Sequence, residues 1–572
     1  MTRIRQSKTN FTGGEVSRRL LGRSDLRAFD NGALTLRNVF IQPTGGVTRR
    51  AGLAFVAAAR GPGRLAAFEF NTEQTFLLVF TAGKIDIFQN NALVATVDAP
   101  WTAEQLAQLS WTQTPDTLLA LHPDTAPRKL TRDAAGAWSL SVWTLAEKDG
   151  VAGSSFYRFA DPAVTLTPSG TSGAIAVTAS APVFDPLQDG ARLRIGHKQL
   201  LITGVVSSTQ VNATVKETLA NTAATTDWDE EAFSNRRGWP VSAAFHQNRL
   251  VLGGSRSLPN RIWMSKSGDL WNFDVGEGLD DEAIEFAILS DQVNAVRALF
   301  AGRHLQVFTS GAEYMVTGEP LTPLNIQVKH QTRVGSPVDH APPPRDVDGA
   351  TLFVSRSGKE IREFLYTDAE AAYQANDLAL LASHLINNPV DQDYDKRRRL
   401  LFVVMGDGSL ATLTIYRNEQ VNAWAGISTV GAFRSVATVG DDVYALVERA
   451  GAWLVERFDD DIPFDAAVEA TSPTPKTAWT GFHHLEGRNL RTLADGMLEG
   501  AAVVQAGAVN LTDAASSLVA GLPFAHVIEP LPPNLRELGG DGRALRAAEV
   551  IFRLEDTRAL RADVGRGLFD VP

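Results

Sequence analysis

The chain repeats one arrangement of hydrophobic and polar positions seven times along its 572 residues. Each repeat has a short run rich in β-branched and aromatic residues, a turn that often contains glycine, and a second run of the same kind. The first runs begin at residues 76, 118, 250, 305, 352, 401 and 443. Hydrophobic runs of this length, separated by turn residues, predict pairs of antiparallel strands.

The spacing of these repeats indicates how the strand pairs are organised. Successive first runs lie 42, 132, 55, 47, 49 and 42 residues apart, so one interval is far longer than the others. Residues 151–235, rich in Ser, Thr, Ala and Gly, lie inside that interval, and removing these 85 residues shortens it to 47. A repeating unit of about 40–50 residues that forms one small antiparallel sheet is typical of a β-propeller blade. The spacing therefore predicts a propeller, with six to eight blades.

The predicted fold class is mainly β, with a β-propeller core, an inserted small β domain and a C-terminal β domain. The predicted boundaries are 1–64 for a basic N-terminal docking segment, 65–150 for the first propeller units, 151–235 for an inserted small β-sandwich or barrel, 236–465 for the remaining propeller units and 466–572 for the C-terminal β domain. Insertion of a domain at an exposed hairpin is tolerated because the entropy of closing a loop grows slowly with its length.

A few segments interrupt the strand pattern. Glu15–Phe29 has the apolar spacing of one helix, and Asn376–Ile386 combines a cap at Asn376 with a leucine-rich stretch. Both segments are predicted to be helical. In the C-terminal domain, Glu549–Leu554 is predicted to be a strand because β-branched and aromatic residues dominate it.

Charge is distributed unevenly. Residues 1–64 contain twelve Lys or Arg and three acidic residues, whereas the other 508 residues contain 42 basic and 62 acidic residues. A basic end on an acidic body predicts docking on an acidic partner, with a merely solvated surface as the alternative. The candidate docking residues are Arg18, Arg19, Arg23, Arg27, Arg37, Arg49 and Arg50. Nucleic-acid reading is disfavoured because the basic residues lack interleaved aromatic side chains.

The composition argues against several other classes. Cysteine is absent, which excludes disulfides and cysteine-based metal sites or nucleophiles. No run of 18 apolar residues occurs, so neither a transmembrane helix nor stable membrane insertion is expected. The polar, basic start of the chain also lacks the apolar core of a secretory signal.

The chain also lacks the common catalytic motifs. We find no phosphate-binding glycine loop, no His-Glu-x-x-His helix and no Gly-x-Ser-x-Gly elbow. Asp280, Asp281, Glu282 and Glu285 form an acidic group of the kind that binds Ca²⁺ or supplies a pair of catalytic carboxylates, although a solvated loop is the favoured interpretation. We therefore expect no catalytic residue, no cofactor, no metal and no enzyme activity.

Several short segments together resemble a known family. They are Asn10-Phe-Thr-Gly-Gly-Glu15, Gly22-Arg-Ser-Asp-Leu26, Leu36-Arg-Asn38, Gln42-Pro-Thr-Gly-Gly-Val-Thr-Arg-Arg-Ala-Gly52, Phe68-Glu-Phe-Asn-Thr-Glu-Gln74, Phe245-His-Gln-Asn-Arg-Leu250 and His484-Leu-Glu-Gly487. In this order, the segments resemble the tail tubular protein B, or nozzle, family of short-tailed bacteriophages. The resemblance extends over most of the chain and is least distinctive in 151–235.

The resemblance implies a structural role in the virion. Proteins of this family contain a β-propeller, and six copies form a ring below the adaptor ring of the portal. The channel of that ring retains and then conducts double-stranded genomic DNA, while its outer face carries tail fibres or spikes. The chain is accordingly expected in the phage tail, after assembly in the cytoplasm of the host bacterium, with the adaptor ring docked on the basic N-terminal segment.

Two alternatives remain open at this point. A propeller-based glycosidase or depolymerase needs two carboxylates about 5–10 Å apart near the axis. A glycan-binding tail module needs aromatic pockets at equivalent positions of successive blades. The tryptophans Trp263, Trp271, Trp424 and Trp453 do not lie at equivalent offsets in their repeats.

Overall fold

Seven small antiparallel sheets follow one another around a ring. The computed structural model of the chain describes residues 7–290, 294–533, 549–557 and 559–571. Each blade contains four antiparallel strands, and strands from the chain ends extend the sheets of blades six and seven. The predicted fold class, a β-propeller with further β domains, is confirmed, and the described residues form seven blades.

In each blade, the first strand named is the innermost and the last is the outermost. Blade one contains Gly63–Glu69, Thr75–Thr81, Lys84–Gln89 and Ala92–Asp98, blade two Ser110–Gln113, Thr117–His122, Thr125–Arg132 and Trp138–Val142, blade three Ser242–His246, Arg249–Gly253, Arg261–Met264 and Ile284–Ala287, and blade four Val296–Ala301, Leu305–Thr309, Glu313–Thr317 and Gln327–Thr332. Blade five contains Arg345–Val347, Ala350–Val354, Ile361–Thr367 and Ala372–Asp377, blade six Pro389–Asp395, Leu400–Met405, Leu410–Tyr416 and Val421–Ile427, and blade seven Ala432–Val439, Asp442–Arg449, Ala452–Asp459 and Gly52–Ala58.

The hydrophobic core is divided among the junctions between blades. Successive side chains of a strand point to opposite faces of the sheet. In blade two, Leu118 and Ala120 therefore pack against blade one, whereas Leu119 and Leu121 pack against blade three. One such cluster lies at each of the seven junctions, including the junction between blades seven and one. Burial on both faces explains why the central strands are continuous hydrophobic runs.

The ring is closed by a strand from the beginning of the chain. Gly52–Ala58 pairs antiparallel with Ala452–Asp459 and supplies the fourth strand of blade seven. The predicted boundary of the segment 1–64 is therefore wrong, because its last part belongs to the propeller and blade one already begins at Gly63. Closure by a distant strand covers the edge of a sheet, which is otherwise open to unwanted pairing.

The rest of the N-terminal segment lies against blade six. Gly14–Glu15 pairs with Gly32–Arg37, and the latter strand pairs in parallel with Val421–Ile427 of blade six. A hairpin of Val39–Ile41 and Val47–Arg49 follows. Residues 1–6 of the predicted docking segment lie outside the described residues.

Two predicted helices are wrong. The segment Glu15–Phe29 contains only the 3-10 turn Arg18–Leu20 and the beginning of the short α-helix Arg27–Asn31, because turns intervene between them. The segment Asn376–Ile386 begins inside the last strand of blade five and continues as the 3-10 helix Leu380–Leu385. The remaining 3-10 helices are Gln105–Gln108, Pro186–Gln188, Arg417–Glu419 and His483–Leu485.

A separate seven-stranded antiparallel sheet lies between blades two and three. In spatial order its strands are Phe156–Tyr157, Trp228–Glu231, Arg192–Ile195, Lys198–Ser207, Gln210–Val215, Ala174–Ala179 and Leu166–Pro168. The sheet has its own hydrophobic cluster, which contains Leu193, Ile202 and Trp228. The hairpin Glu147–Lys148 with Val151–Ala152 precedes it.

The C-terminal segment continues the sheet of blade seven. The long strands Asp465–Thr480 and Ala508–Leu522 pair with each other, and Asn489–Ala494 and Met497–Val503 extend the sheet outwards. Two further short strands, Arg561–Ala562 and Phe569–Asp570, form a hairpin near the end of the chain. The predicted strand Glu549–Leu554 is wrong, because this stretch is exposed and pairs with no edge in the described part of the chain. Residues 534–548, 558 and 572 of the predicted C-terminal domain lie outside the described residues.

None of the helices in the described ranges has both the length and the apolar character that crossing a membrane requires.

We predict that Leu53→Ala weakens the closed ring. Leu53 lies on the closing strand, is fully buried and packs in the cluster between blades six and seven. Truncation of a buried leucine leaves a cavity and costs roughly 2–5 kcal/mol of unfolding free energy. Urea denaturation followed by tryptophan fluorescence measures the change. The control Leu93→Ala removes a side chain that is 54% exposed on the outer strand of blade one, and we expect a change within about 0.5 kcal/mol. Equal effects of the two substitutions would contradict this account of closure.

Candidate functional site

The two ends of the chain meet on the outer edge of blades six and seven. We call this region, residues 7–51 and 465–533, the terminal rim. The strand Gly32–Arg37 pairs with blade six and also with Val527–Pro530 from the C-terminal segment. Thr35 donates a hydrogen bond to Glu529 across this pairing, at 2.9 Å. Segments nearly 500 residues apart in sequence thus form one continuous surface.

A buried ion pair lies at the centre of the terminal rim. The Arg50 guanidinium donates to both carboxylate oxygens of Asp465, at 2.9 and 2.7 Å, and the side chains are 0% and 1% exposed. Arg50 also donates to the side-chain oxygen of Asn38 at 3.1 Å and stacks 3.6 Å from the centre of the Phe524 ring. A bidentate arginine–carboxylate pair fixes the orientation of both partners. It therefore fixes the N-terminal segment against the first strand of the C-terminal segment.

The terminal rim carries most of the predicted docking residues on its surface. The exposed ones are Arg18, Arg19, Arg23, Arg27, Arg37 and Arg49. Arg50 does not belong to this set, since its guanidinium is buried against Asp465, and its assignment as a docking residue is wrong. Sequence alone does not distinguish the neighbouring Arg49 and Arg50, because burial of Arg50 depends on a carboxylate more than 400 positions away.

The exposed arginines differ in how far they are already engaged. Arg23 pairs with Asp25 at 2.8 Å, and Arg27 donates to Gln420 at 3.3 Å. Within the described ranges, the side chains of Arg18, Arg19 and Arg37 form no ion pair. These three guanidinium groups are therefore free to meet carboxylates of a partner.

A second notable region lies on the propeller axis. Residues 333–344, which we call the axial segment, connect blades four and five and cross the centre of the ring. The Ala341 amide donates to the Ala107 carbonyl at 3.0 Å, between blades one and two, and the His340 ring nitrogen Nε2 lies 2.8 Å from the Pro389 carbonyl of blade six. Because the axial segment joins one side of the ring to the opposite side, it covers one end of the propeller axis.

The buried Arg64 connects the axial segment to the surrounding blades. Its guanidinium donates to the carbonyls of Leu109 at 2.6 Å and Ala341 at 3.4 Å, and lies 3.6 Å from the Asp391 carboxylate of blade six. Burial lowers the pKa of Arg64, and the charge of Asp391 opposes this effect. Asp391 in turn accepts a hydrogen bond from the amide of Val436 in blade seven, at 3.2 Å. One cation therefore contacts the axial segment, the linker between blades one and two, and blade six.

Glu313 holds the beginning of the axial segment. This buried carboxylate of blade four accepts hydrogen bonds from the amides of Gly335 at 2.7 Å and Val334 at 3.2 Å. Burial raises the pKa of Glu313, while these donors favour the ionised form. At the other end, Pro342, Pro343 and Pro344 form a stiff stretch, since proline fixes one backbone angle. The axial segment is thus held at its start by Glu313, is stiff at its end, and makes two further contacts between, through His340 and Ala341.

The acidic group of Asp280, Asp281, Glu282 and Glu285 lies at a loop of blade three, and Glu282 stabilises that loop. Glu282 accepts hydrogen bonds from the amides of Gly278 and Leu279, at 2.6 and 2.9 Å, and this bonding lowers its pKa. Glu285 pairs with Arg261, whereas Asp280 and Asp281 are exposed. In the part of the chain that the structure describes, no group of three or more His, Asp or Glu side chains is arranged to hold a metal ion.

The four tryptophans considered as glycan platforms do not form one. Trp263 and Trp424 are 1% and 2% exposed and belong to cores between blades. The Trp424 indole nitrogen donates to the Leu378 carbonyl at 2.9 Å. The ring of Trp271 lies 3.8 Å from the Lys129 ammonium nitrogen. Trp453 belongs to the periphery of another junction.

The axial residues are not predicted from the sequence. Arg64 precedes an apolar run, Asp391 and Asp393 lie in the polar but largely buried strand Pro389–Asp395, and the three prolines 342–344 interrupt the regular spacing between two blades. Charge in the middle of a buried run signals a specific partner, because an unpaired buried charge is unfavourable. The partners themselves lie in other blades and are visible only in three dimensions.

Comparisons with known proteins add resemblance in fold only. No protein-family model and no curated protein matches the chain. Among solved structures, the Pan2 WD40 domain of Neurospora crassa is 8% identical, with a TM-score of 0.35, over 72% of this chain and 96% of that one. BamB from Moraxella catarrhalis is 11% identical, with a TM-score of 0.34, over 71% of this chain and 98% of that one. Hsv2 of Kluyveromyces lactis is 12% identical, with a TM-score of 0.28, over 64% and 98%. The propeller assignment rests on the seven sheets themselves.

We predict that Arg50→Met separates the two ends of the chain. The substitution leaves the Asp465 carboxylate buried without its cation, which costs roughly 3–5 kcal/mol. Urea denaturation measures the loss, and hydrogen exchange should locate it in Asp465–Thr480 and Gly32–Arg37. Arg23→Met, which removes an exposed arginine with an exposed partner, is the control, and we expect no measurable shift of its urea midpoint. Retention of wild-type exchange rates by Arg50→Met would contradict the proposed role of the pair.

We predict that the axial segment loosens at acidic pH. Burial lowers the pKa of His340 in the folded protein, while the hydrogen bond to Pro389 opposes the shift. As the pH falls, His340 is therefore protonated in the unfolded state before it is protonated in the folded state. The contribution of neutral His340 to the free energy of unfolding is complete above about pH 6.5 and is lost as the pH falls towards the folded pKa. Protection of the Ala341 amide from exchange should fall between about pH 7.5 and about pH 5.5. His340→Gln should remove this dependence, and an unchanged dependence in that variant would refute the assignment.

Proposed function

We propose that the chain is a structural subunit of the tail nozzle of a short-tailed bacteriophage. Six copies form a ring whose channel retains and then conducts double-stranded DNA, with the adaptor ring docked on the basic N-terminal part of the terminal rim, residues 7–51, and fibres or spikes on the outer face. The observation that carries the proposal is the terminal rim itself. It presents free arginines on a frame that a buried ion pair and a closed propeller hold rigid.

The segments that resemble the nozzle family have structural roles in this rim. The Phe11 amide donates to the Gly45 carbonyl at 2.9 Å, and a side chain at Gly45 would lie 2.5 Å from Asn10. Asn38 has a φ of 58°, in the left-handed region, and donates to the Ala525 carbonyl at 2.8 Å. The residues that resemble the nozzle family therefore support the geometry of the terminal rim, as expected if the rim is the part that fits a neighbouring ring.

The axial segment restricts where DNA passes in this proposal. It covers the end of the propeller axis at which the innermost strands begin, so the axis of a single subunit is closed there. The channel then lies between subunits, around the symmetry axis of the ring. A charge of −11 per subunit gives −66 for six copies. An acidic wall repels DNA phosphates and keeps the moving polymer from adhering.

The enzyme and glycan-binding alternatives have less support. Asp391 and Asp393, carboxylates on the innermost strand of blade six, are buried and engaged by Arg64 at 3.6 Å and Arg345 at 2.8 Å. Neither carboxylate is available for acid–base work on a sugar in this arrangement. Trp263 and Trp424, two of the four candidate glycan platforms, are buried in cores between blades.

We predict that reversing the rim charge blocks tail assembly. The variant Arg18→Glu, Arg19→Glu, Arg23→Glu places three carboxylates where the proposal requires cations. Like charges at an interface cost several kcal/mol, so we expect plating efficiency in complementation of a phage lacking this gene to fall roughly tenfold or more. Electron microscopy should show capsids with the adaptor ring but without the nozzle.

The control carries the same change of charge on another side of the propeller. The variant is Arg303→Glu, Lys329→Glu, Arg356→Glu. Arg303 pairs with the exposed Asp368 at 2.9 Å, as Arg23 does with Asp25, whereas Lys329 and Arg356 are exposed and form no ion pair with a described residue. This variant should complement normally. Complete tails with the rim variant would overturn docking through the rim, and absence of the chain from purified virions would overturn the nozzle assignment.

A further inference from the structure

A cavity of about 350 Å³ lies on the propeller axis, beneath the axial segment. It is lined by the innermost strands of blades one to five, and Ser336 and His340 of the axial segment also line it. Its volume is within the range of pockets for small molecules, about 300–1,000 Å³.

Three arginines line this cavity, and two of them are neutralised. Arg64 lies 3.6 Å from Asp391, and Arg345 lies 2.8 Å from Asp393. Arg297 is different, because no carboxylate among the described residues lies within 4.0 Å of its guanidinium. Asp339 influences it only at longer range. The cavity therefore contains one cation without a direct counter-ion.

The backbone places Arg297 in an unusual position. It lies on the innermost strand of blade four, where the pairing with the next strand shifts between Val296 and Ala298. Such an irregularity re-aims a side chain, and bulges are frequent at functional sites. The Arg297 Nε atom is buried and has no hydrogen-bond partner among the described residues. Buried polar groups of native proteins are usually satisfied, so the Nε atom leaves the Arg297 guanidinium incompletely partnered, and Arg297 is also one of the residues that line the cavity.

The remaining walls define the chemistry of the occupant. Trp111, Phe245, Phe300 and Phe353 line the same cavity. Aromatic side chains favour an apolar or aromatic body, whereas a guanidinium pairs with a carboxylate through two parallel hydrogen bonds. We propose that the axial cavity binds a small organic monocarboxylate, with its carboxylate on Arg297 and its apolar body against the aromatic walls. This inference does not depend on the nozzle assignment.

Binding at this place joins two parts of the fold. The ligand lies between blade four, which carries Arg297, and the axial segment, which supplies Ser336 and His340 to the cavity wall. A molecule that binds the folded state stabilises it by mass action. Occupancy should therefore raise the thermal midpoint and the protection of the Ala341 amide.

Benzoate is the probe, and benzamide is its neutral counterpart of the same shape. We expect benzoate to raise the thermal midpoint with saturation below about 1 mM, and calorimetry to show at least about tenfold weaker binding of benzamide. Arg297→Met should weaken benzoate binding at least about tenfold. Arg356→Met, at an exposed arginine outside the cavity, should bind benzoate as the wild type does.

The opposite results would overturn the proposal. Equal binding of benzoate and benzamide, or unchanged benzoate binding by Arg297→Met, excludes the assigned carboxylate contact. If Arg297→Met does not fold, crystals of the wild-type chain with 4-bromobenzoate decide the question. An anomalous bromine peak in the axial cavity supports the site, and a cavity without such a peak refutes it.

Discussion

The structure depends on one constraint: every blade must bury both faces of its sheet against its two neighbours. A single four-stranded sheet leaves both faces apolar here, and only a closed ring covers them all. The junction between blades seven and one is decisive, because it joins parts of the chain that are distant in sequence. Leu65 and Val79 of blade one pack there against Leu446 and Val455 of blade seven, and the Leu65 amide donates to the Ser435 hydroxyl at 2.9 Å.

Closure of the ring also determines where the chain ends meet. Because the fourth strand of blade seven comes from residues 52–58, the N-terminal segment must leave the propeller at the edge from which the C-terminal segment departs. The buried pair of Arg50 and Asp465 lies at this meeting point. Buried ion pairs add little net stability compared with apolar residues, yet breaking one is strongly unfavourable. We interpret this pair as a device that fixes one register between the two ends.

The sequence predicts the central strands well and the inner and outer strands poorly, for a physical reason. The second strand of each blade is buried on both faces, as in Phe76–Phe80, and its sequence is a continuous hydrophobic run. Innermost strands carry polar residues that bond to the next blade, such as Ser242, whose hydroxyl accepts from the Leu299 amide. Outer strands such as Ala92–Asp98 are largely exposed. The local pattern therefore locates the blades but neither delimits them nor fixes their number.

The functional residues were predictable to different degrees. A basic N-terminal surface follows from charge alone, but the burial of Arg50 depends on Asp465, which no local pattern connects with it. The axial segment lies between two recognised blades, and its proline triplet signals an irregular stretch without showing that it crosses the ring. The roles of Arg64 and Asp391 depend on partners in other blades, which the sequence around each residue does not identify. The structural role of Arg50 and the proposed docking and ligand-binding roles of other arginines follow from contacts between distant segments, and composition does not separate them.

Because the axial segment covers one end of the propeller axis, the passage for DNA in the proposed nozzle lies between subunits rather than through one propeller. Widening a propeller around its axis requires separation of at least one junction, and each junction buries a cluster of apolar side chains from two blades. Burial of apolar surface contributes about 25 cal/mol per Å², so separating even a small cluster costs several kcal/mol. Relative movement of intact subunits breaks no such junction. In the proposed nozzle ring, the conduit would therefore open by rearranging contacts between rigid propellers, with the terminal rim as the proposed contact surface.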